Sequence, residues 1–344
     1  MRTDQLCLSA NETSVSNASL PLPTVSADRV PSLSVLVVSF NVRDLLMRCL
    51  ETLMLELAKL DAEVVVTDNA STDGTVEAVR QQFPKVRVIA NDHNPGFGAA
   101  NNQALEIASG QAVLFLNPDT EMSPGAASTL LRYLAEHPDV GVVGPRLRYP
   151  DGIIQSSRRS FPTPLTGLIE STIVQRWFPH PGVLDRYYRA RFSDDQTQDV
   201  DWLVGACLLA RRETITAVGG FDERFFMYSE ELEWCFRVRQ AGWRIVYLPD
   251  AEVIHHEGRS SEQNRVRRSR TFLESKSRFY EKQFGADVGR ALRIYLLALT
   301  FVEAAEELAK LIVGHRVSLR RARLRGFVFV AVDQVRHLAG YRRD

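Results

Sequence analysis

Short apolar runs alternate with amphipathic stretches through the first half of the chain. Residues 34–39, 63–67, 86–90 and 112–116 hold such runs, the third interrupted by Arg87, each closed by turn residues. They read as strands, those at 34–39 and 112–116 as buried ones. Between the first two, 42–60 carries Leu46, Leu50, Leu53 and Leu57 at the spacing of one helix face. Helices over 75–83 and 99–108 continue the alternation. Strand–helix alternation predicts an α/β fold with a mostly parallel sheet flanked by helices. A helix over 124–136 and an apolar run at 140–145 follow. Residues 151–200 lose the regularity; they hold Arg158, Arg159, Trp177, Tyr187, Tyr188 and several prolines. This stretch is either a long excursion near the ligand edge or peripheral packing. The apolar core resumes over 200–210. A helix over 211–218 ends at Gly219 and Gly220, where a left-handed cap is easy, and another over 229–241 stops at Gly242. Short extended segments are expected at 245–248 and 251–256.

The two ends differ from this core. Residues 1–31 are rich in Ser, Thr, Asn and Pro with little periodicity, and read as a flexible or loosely docked lead-in. No basic region followed by an apolar core is found there, so no signal peptide is expected. From 264 to 344 the pattern is helical. The chain thus divides into 1–31, a core over 32–263 and a helical extension over 264–344. Within the extension, Glu303, Glu306, Glu307 and Lys310 interrupt the apolar stretch 294–313, which argues against a spanning helix. From 287 onward eleven Lys and Arg stand against six Asp and Glu, a net of +5. Arg316, Arg320, Arg321, Arg323 and Arg325 sit among apolar residues, as an interfacial membrane contact or as the solvated face of a packing appendage. Across all 344 residues, 42 basic and 42 acidic side chains cancel, so no nucleic-acid partner is indicated. Cys7, Cys49, Cys207 and Cys235 are far apart and form no CxxC pair, which argues against a disulfide framework or a zinc site. A reducing, cytoplasmic compartment follows most simply.

The polar residues that close the apolar runs carry the candidate chemistry. Asp68, the 91–98 turn and Asp119 follow three strands, and in a parallel sheet they share the edge where ligands bind. Asp68 can accept the ring N–H of uracil or thymine, or close an Asx-turn. Asp73 and Gly74 read as a helix cap and a turn. Pro118 stops the 112–116 strand and leaves Asp119 just beyond it. One aspartate with a substrate diphosphate suffices for Mg²⁺, and Mn²⁺ also tolerates imidazole. His255 and His256 are adjacent in an extended segment, so only one of them faces such a metal. The aromatic-rich stretch 225–228 precedes Glu230, Glu231 and Glu233 at a helix start. Acids are favoured in a first turn in any case, and Glu233 is spaced to pair with Arg237. Glu230 or Glu231, facing the ligand edge, can take a proton from a hydroxyl nucleophile. Trp202, Trp234 and Tyr228 are candidates either for stacking on a sugar or for the core. No glycine-rich dinucleotide fingerprint follows the first strand, and no P-loop is present.

Taken in order, these stretches resemble the inverting, nucleotide-sugar-dependent glycosyltransferases of family 2, in their rhamnosyltransferase-like branch. The matching residues are 37–41, 68–75, 94–102, Leu116-Asn117-Pro118-Asp119, Gly219-Gly220-Phe221-Asp222, 225–231 and His255-His256, so the resemblance covers about 33–260. It implies a GT-A fold and a metal-dependent single displacement from a nucleoside-diphosphate sugar. By position, Asp68 resembles the carboxylate that reads the base, and Ser39, Asn41, Asn94 and Gly96 resemble residues of the nucleotide turns. Asp119 resembles the last acid of a degenerate DxD motif and the main contact to Mg²⁺ or Mn²⁺; Asn117 occupies the motif's first acidic position. His255, or His256, resembles a metal-facing histidine. The catalytic base falls on Glu231, with Glu230 as the alternative. The donor implied is deoxythymidine-diphosphate-linked rhamnose, or else a uridine-diphosphate sugar. The acceptor implied is a glycan or a polyprenyl-diphosphate-linked intermediate at the inner leaflet of the membrane, in cell-surface polysaccharide assembly. Self-association is compatible with the sequence. A sugar-nucleotide nucleotidyltransferase and a noncatalytic sugar-nucleotide-binding protein are the rival readings.

Overall fold

The computed structural model describes residues 32–179, 182–257, 265–314 and 316–339. The 1–31 lead-in and the expected boundary at 263/264 lie outside the described residues. Each apolar run forms a strand: β1 (Leu33–Ser39), β2 (Ala62–Asp68), β3 (Arg87–Ala90) and β4 (Ala112–Leu116). The helices between them are α1 (Arg43–Leu57), α2 (Thr75–Gln82) and α3 (Phe97–Ile107). Leu46, Leu50, Leu53 and Leu57 of α1 are all buried against the sheet, as their spacing requires. The order β3-β2-β1-β4 is parallel throughout, so the four strands end on one edge.

Beyond β4 the sheet is mixed, and the reasons lie in long-range returns of the chain. A short strand that periodicity does not mark, β5 (Thr120–Met122), follows Asp119 directly. Then come α4 (Ala126–Glu136) and β6 (Val140–Arg148). The 151–200 excursion contains β7 (Ile154–Gln155), β8 (Arg158–Arg159), α5 (Pro164–Ile169), α6 (Ile173–Trp177), α7 (Gly182–Tyr187) and β9 (Gln198–Val200). The apolar run 200–210 is broken into β9, β10 (Trp202–Leu203) and β11 (Cys207–Arg211). β11 enters antiparallel between β4 and β6, with Cys207 opposite Leu116. That insertion brings the 204–206 turn to the edge where β4 ends. After α8 (Arg212–Val218) and α9 (Glu230–Gln240), the two expected segments form one strand, β12 (Arg244–His255), with a register shift between Leu248 and Glu252. β12 runs parallel to β6 and antiparallel to β5, setting His255 opposite Thr120.

The extension consists of α10 (Arg265–Phe284), α11 (Ala286–Ile312) and α12 (Val317–Leu338). Phe279, Tyr280, Leu292 and Leu296 join the same buried cluster as Phe115 of β4 and Trp234 of α9. Among the described residues, no helix is long and apolar enough to cross a membrane. Cys49, Cys207 and Cys235 are free, buried thiols whose pKa values burial raises.

Candidate active site at the carboxyl edge of the sheet

Ser39 and Asp68 are register partners at the ends of β1 and β2. Both are buried. Asp68 Oδ2 accepts from the Ser71 N–H at 2.8 Å, so the Asx-turn exists. Its Oδ1 is buried with no partner, as is Ser39 Oγ. Buried polar atoms are normally satisfied, so this pair at a strand edge is where a donor group from a ligand fits. The surrounding turns bond to one another. Asn41, at φ 52°, donates its N–H to Ser71 Oγ and accepts from the Thr72 N–H. Asn94 Oδ1 accepts from the Gly96 N–H at 3.0 Å and from Asn69 Nδ2 at 3.3 Å. Gly96 has φ 102°, and a Cβ there would lie 2.4 Å from the Phe226 carbonyl oxygen. Only glycine admits this approach. The 94–98 turn therefore seats the 225–229 loop through the Phe97 N–H, which donates to that same oxygen at 2.8 Å. Asp73 accepts from the Thr75 and Arg43 N–H groups, a local role, but the cap position of α2 is Gly74 at φ 79° rather than Asp73.

Asn117 closes β4: its N–H donates to the Ala206 carbonyl, and its own carbonyl accepts from Thr120 Oγ1 at 2.7 Å. Asp119 follows, buried, with Oδ1 3.3 Å from Nε2 of buried His255. His256 points away, its Nε2 2.7 Å from Glu121, while its backbone N–H holds the Asp119 carbonyl. The imidazole of His255 is oriented from behind. Gln155 Nε2 donates to Glu257 Oε2 at 2.8 Å, which leaves Gln155 Oε1 as the acceptor for His255 Nδ1 at 2.9 Å. Tyr149 donates to the same Glu257 oxygen at 2.7 Å. Burial and that carboxylate push the Tyr149 hydroxyl up to about 12, so it remains a donor. With Nδ1 engaged by Gln155 Oε1, Nε2 is the ring nitrogen turned toward the Asp119 carboxylate. A carboxylate oxygen and an imidazole nitrogen converging in a buried pocket are the ligand types that suit a divalent cation, and Gln155 at Nδ1 is the kind of partner that orients metal-bound histidines. Gln155 and Glu257 lay outside any sequence signal, because the excursion that supplies Gln155 has no period.

The acids of α9 divide by role. Tyr228 and Ser229 both have positive φ, 71° and 65°, directly before the helix. Such strain in consecutive non-glycine residues persists only where the surroundings enforce it; here Ser275 of α10 donates to the Met227 carbonyl at 2.7 Å. Glu233 is wholly buried and takes both Arg237 and Lys282, the latter at 2.6 Å, so it anchors α10. Glu230 Oε2 and Glu231 Oε2 are buried without partners. Burial first, then the Glu231 charge, raises Glu230 well above the usual carboxyl range. Glu231 is also raised by burial, but the N–H groups of its own residue, Gly205 and Leu232 oppose the rise, as does the Arg159 charge. Gly205 is close enough that a Cβ would meet Glu231 Cγ at 3.2 Å. Arg159, opposite Trp202 in the β8–β10 ladder and 4.7 Å over the Tyr188 ring, is thus a neighbour of the acid pair. Trp234 and Trp202 are core: their Nε1 groups donate to the carbonyls of Gly219 and Ser160. Tyr228 is half-buried, with its hydroxyl unpartnered. Away from this edge, Glu274, Asp333 and His337 also converge. Arg270 and Arg278 already neutralise that group, at 2.9 Å from Asp333 and 3.1 Å from Glu274.

Comparison with known proteins gives the family. The chain is 35% identical over 240 residues to a protein of Mycobacterium tuberculosis named N-acetylglucosaminyl-diphospho-decaprenol L-rhamnosyltransferase, covering 67% of this chain and 77% of that one. Among solved structures, the mannosyltransferase PcManGT of Pyrobaculum calidifontis, in complex with GDP-Man and Mn²⁺, superposes with a TM-score of 0.51 at 18% identity, covering 92% of this chain and 89% of that one. GalNAc-T7 with UDP, GalNAc and Mn²⁺ gives 0.52 at 17% identity, covering 74% and 48%. These two likenesses concern the fold. The family model for glycosyl transferase family 2 matches residues 34–215, from β1 through β11 into α8, and the chain belongs to that family.

Proposed function

We propose that this glycosyltransferase takes a sugar from a pyrimidine nucleoside diphosphate and passes it, with inversion, to a lipid-diphosphate-linked glycan. What carries the reading is the Asp119–His255 pair, a carboxylate oxygen 3.3 Å from an imidazole nitrogen, on the same sheet edge as the unpartnered oxygen of Asp68. Asp119 and His255 would hold Mg²⁺ or Mn²⁺. Such an ion offsets the charge of a departing diphosphate. Asp68 Oδ1 accepts the base N–H, which thymine and uracil present alike, and Ser39, Asn41, Asn94 and Gly96 shape the nucleotide end of the edge. Asn117 closes the turn that presents Asp119. Glu231 takes the acceptor's hydroxyl proton as the acceptor oxygen bonds to the anomeric carbon and the bond from that carbon to the diphosphate oxygen breaks. Burial raises both acids, but the Gly205 and Leu232 N–H groups and the Arg159 charge stand on the side of Glu231, which is why the role falls to it rather than to Glu230.

The likeness to the mycobacterial rhamnosyltransferase supports deoxythymidine-diphosphate-linked rhamnose as donor and a polyprenyl-diphosphate-linked acceptor at the inner face of the cell membrane. Calorimetric titration with dTDP-rhamnose and UDP-sugars, with and without Mn²⁺, tests the donor. dTDP-rhamnose should bind best, and more tightly with the metal. Glu231→Gln should keep that affinity and lose roughly 10²- to 10⁴-fold in turnover. Equal turnover in the variant would remove the base assignment, and failure of every pyrimidine-diphosphate sugar to bind would overturn the reading.

A further inference from the structure

α11 carries an apolar stripe that no other described element covers. Ile294, Ala298, Phe301, Ala305, Leu308 and Ile312 recur at alternating spacings of four and three, so they share one helix face. All six are exposed, Phe301 by 59% and Ile312 by 79%. The charges of the same helix turn elsewhere. Glu303 and Glu306 meet Arg176 at 3.6 and 3.3 Å. Glu307 is buried against Arg320 and Arg323, and Lys310 reaches back to Glu306 and Glu307. On α12, Val328, Val332 and Val335 form a second exposed row, in line with exposed Arg321 and Arg325. A groove along α12 is lined by Arg325, Val328, Phe329, Val332, Arg336 and Asp333, the last already paired with Arg270. Exposed Trp177 and Phe178 directly follow the Arg176 that is tied to α11.

We infer that the α11–α12 face docks on the surface of an anionic lipid bilayer. An apolar patch of this extent marks an interaction site. Its charge selects the occupant: Glu303, Glu306 and Glu307 of α11 are paired internally, while Arg316, Arg321 and Arg325 at and along the start of α12, which packs on α11, are exposed. Basic residues beside a partly inserted apolar face are what an interfacial helix uses on anionic lipid. Exposed Trp belongs at the same boundary. Pairing with a second copy is less well served. Leu297, Val302, Ala304 and Ala309, which flank the stripe, are also apolar and offer none of the charge pairs that set register between helices. A second copy would also bring like-charged guanidinium groups together. The inference deepens the reading of a lipid-linked acceptor and rests on that reading only for its purpose. Docking itself is measured with neither donor nor acceptor present, so the two can fail separately.

Co-sedimentation of the full chain with phosphatidylcholine vesicles, with and without phosphatidylglycerol, tests it. The protein should pellet with the anionic vesicles and release in high salt. Phe301→Asp combined with Leu308→Asp should weaken binding roughly tenfold or more. Arg321→Gln combined with Arg325→Gln should weaken it about fivefold per charge, on anionic vesicles only. The arginine pair leaves the apolar stripe untouched and decides the matter if the aspartate variant melts early. Wild-type protein left in the supernatant, or vesicle binding unchanged in both variants, overturns the inference. So does light scattering that shows a dimer which Phe301→Asp with Leu308→Asp dissociates while vesicles bind neither protein; the face is then an interface between copies.

Discussion

Gln155 and Glu230 are the two side chains whose chemistry is set most completely by their neighbours. Gln155 fixes the His255 tautomer, because Glu257 occupies its amide nitrogen and leaves its oxygen for Nδ1. Gln155→Leu should therefore weaken Mn²⁺ binding about 10- to 100-fold, read by metal titration in the presence of nucleoside diphosphate. Unchanged affinity would mean the imidazole is oriented by something else. Glu230 shows the opposite situation, a carboxyl raised by burial and by Glu231. Its folded pKa lies above its unfolded one. Its contribution to stability is therefore complete below the unfolded value, near pH 4.3, and is lost as pH rises through the folded value. Glu230→Gln should be nearly neutral in acid and should stabilise by about 1–3 kcal/mol at neutral pH and above. Thermal melts across pH check this; a difference independent of pH would refute it. Asp68 and Asp119 could be singled out in the sequence because each closes an apolar run. Gln155 could not, since no local pattern distinguishes an amide that orients a histidine 100 residues away.

Among the elements, the parallel half of the sheet was legible because each strand and helix is periodic on its own. The other half was not. β5 is three residues long and exists through its pairing with β12, and β11 runs antiparallel because the chain returns from the excursion before joining β4. The irregular 151–200 stretch proves to supply Gln155 and Arg159 to the edge, so its reading as merely peripheral packing does not hold for those residues. The 94–98 turn and the 225–229 loop that leads into the acids of α9 meet at Gly96 and Phe226. Gly96→Ala should cost roughly 1–3 kcal/mol from backbone conformation alone, and activity should fall with it as the loop is displaced. Gly125→Ala, at φ 82° with open space around it, is the control. Its backbone cost should appear in urea unfolding while turnover stays as in wild type. Equal losses of turnover in both variants would argue against a special role for the contact between the turn and the loop.

At the scale of the molecule, Lys282 of α10 reaches Asp222 at 2.7 Å and buried Glu233 at 2.6 Å, and Ser275 holds Met227. Arg224 and Lys282 keep the Asp222 carboxyl well below the usual range. The helical extension therefore braces the 222–229 loop that leads into Glu230 and Glu231, while α11 and α12 also carry the exposed apolar and basic rows. Hydrophobic period and turn chemistry, both local properties, were enough to determine the strands that end at Asp68 and Asp119, the helix that begins with three acids and the helical character of the extension. Only the tertiary structure decided that His255 rather than His256 meets Asp119, that Glu233 is an anchor while Glu230 and Glu231 each keep an unpartnered buried oxygen, and that the stripe of α11 faces outward. Those outcomes depend on strand register, burial and long-range pairing, which are set by residues distant in the chain.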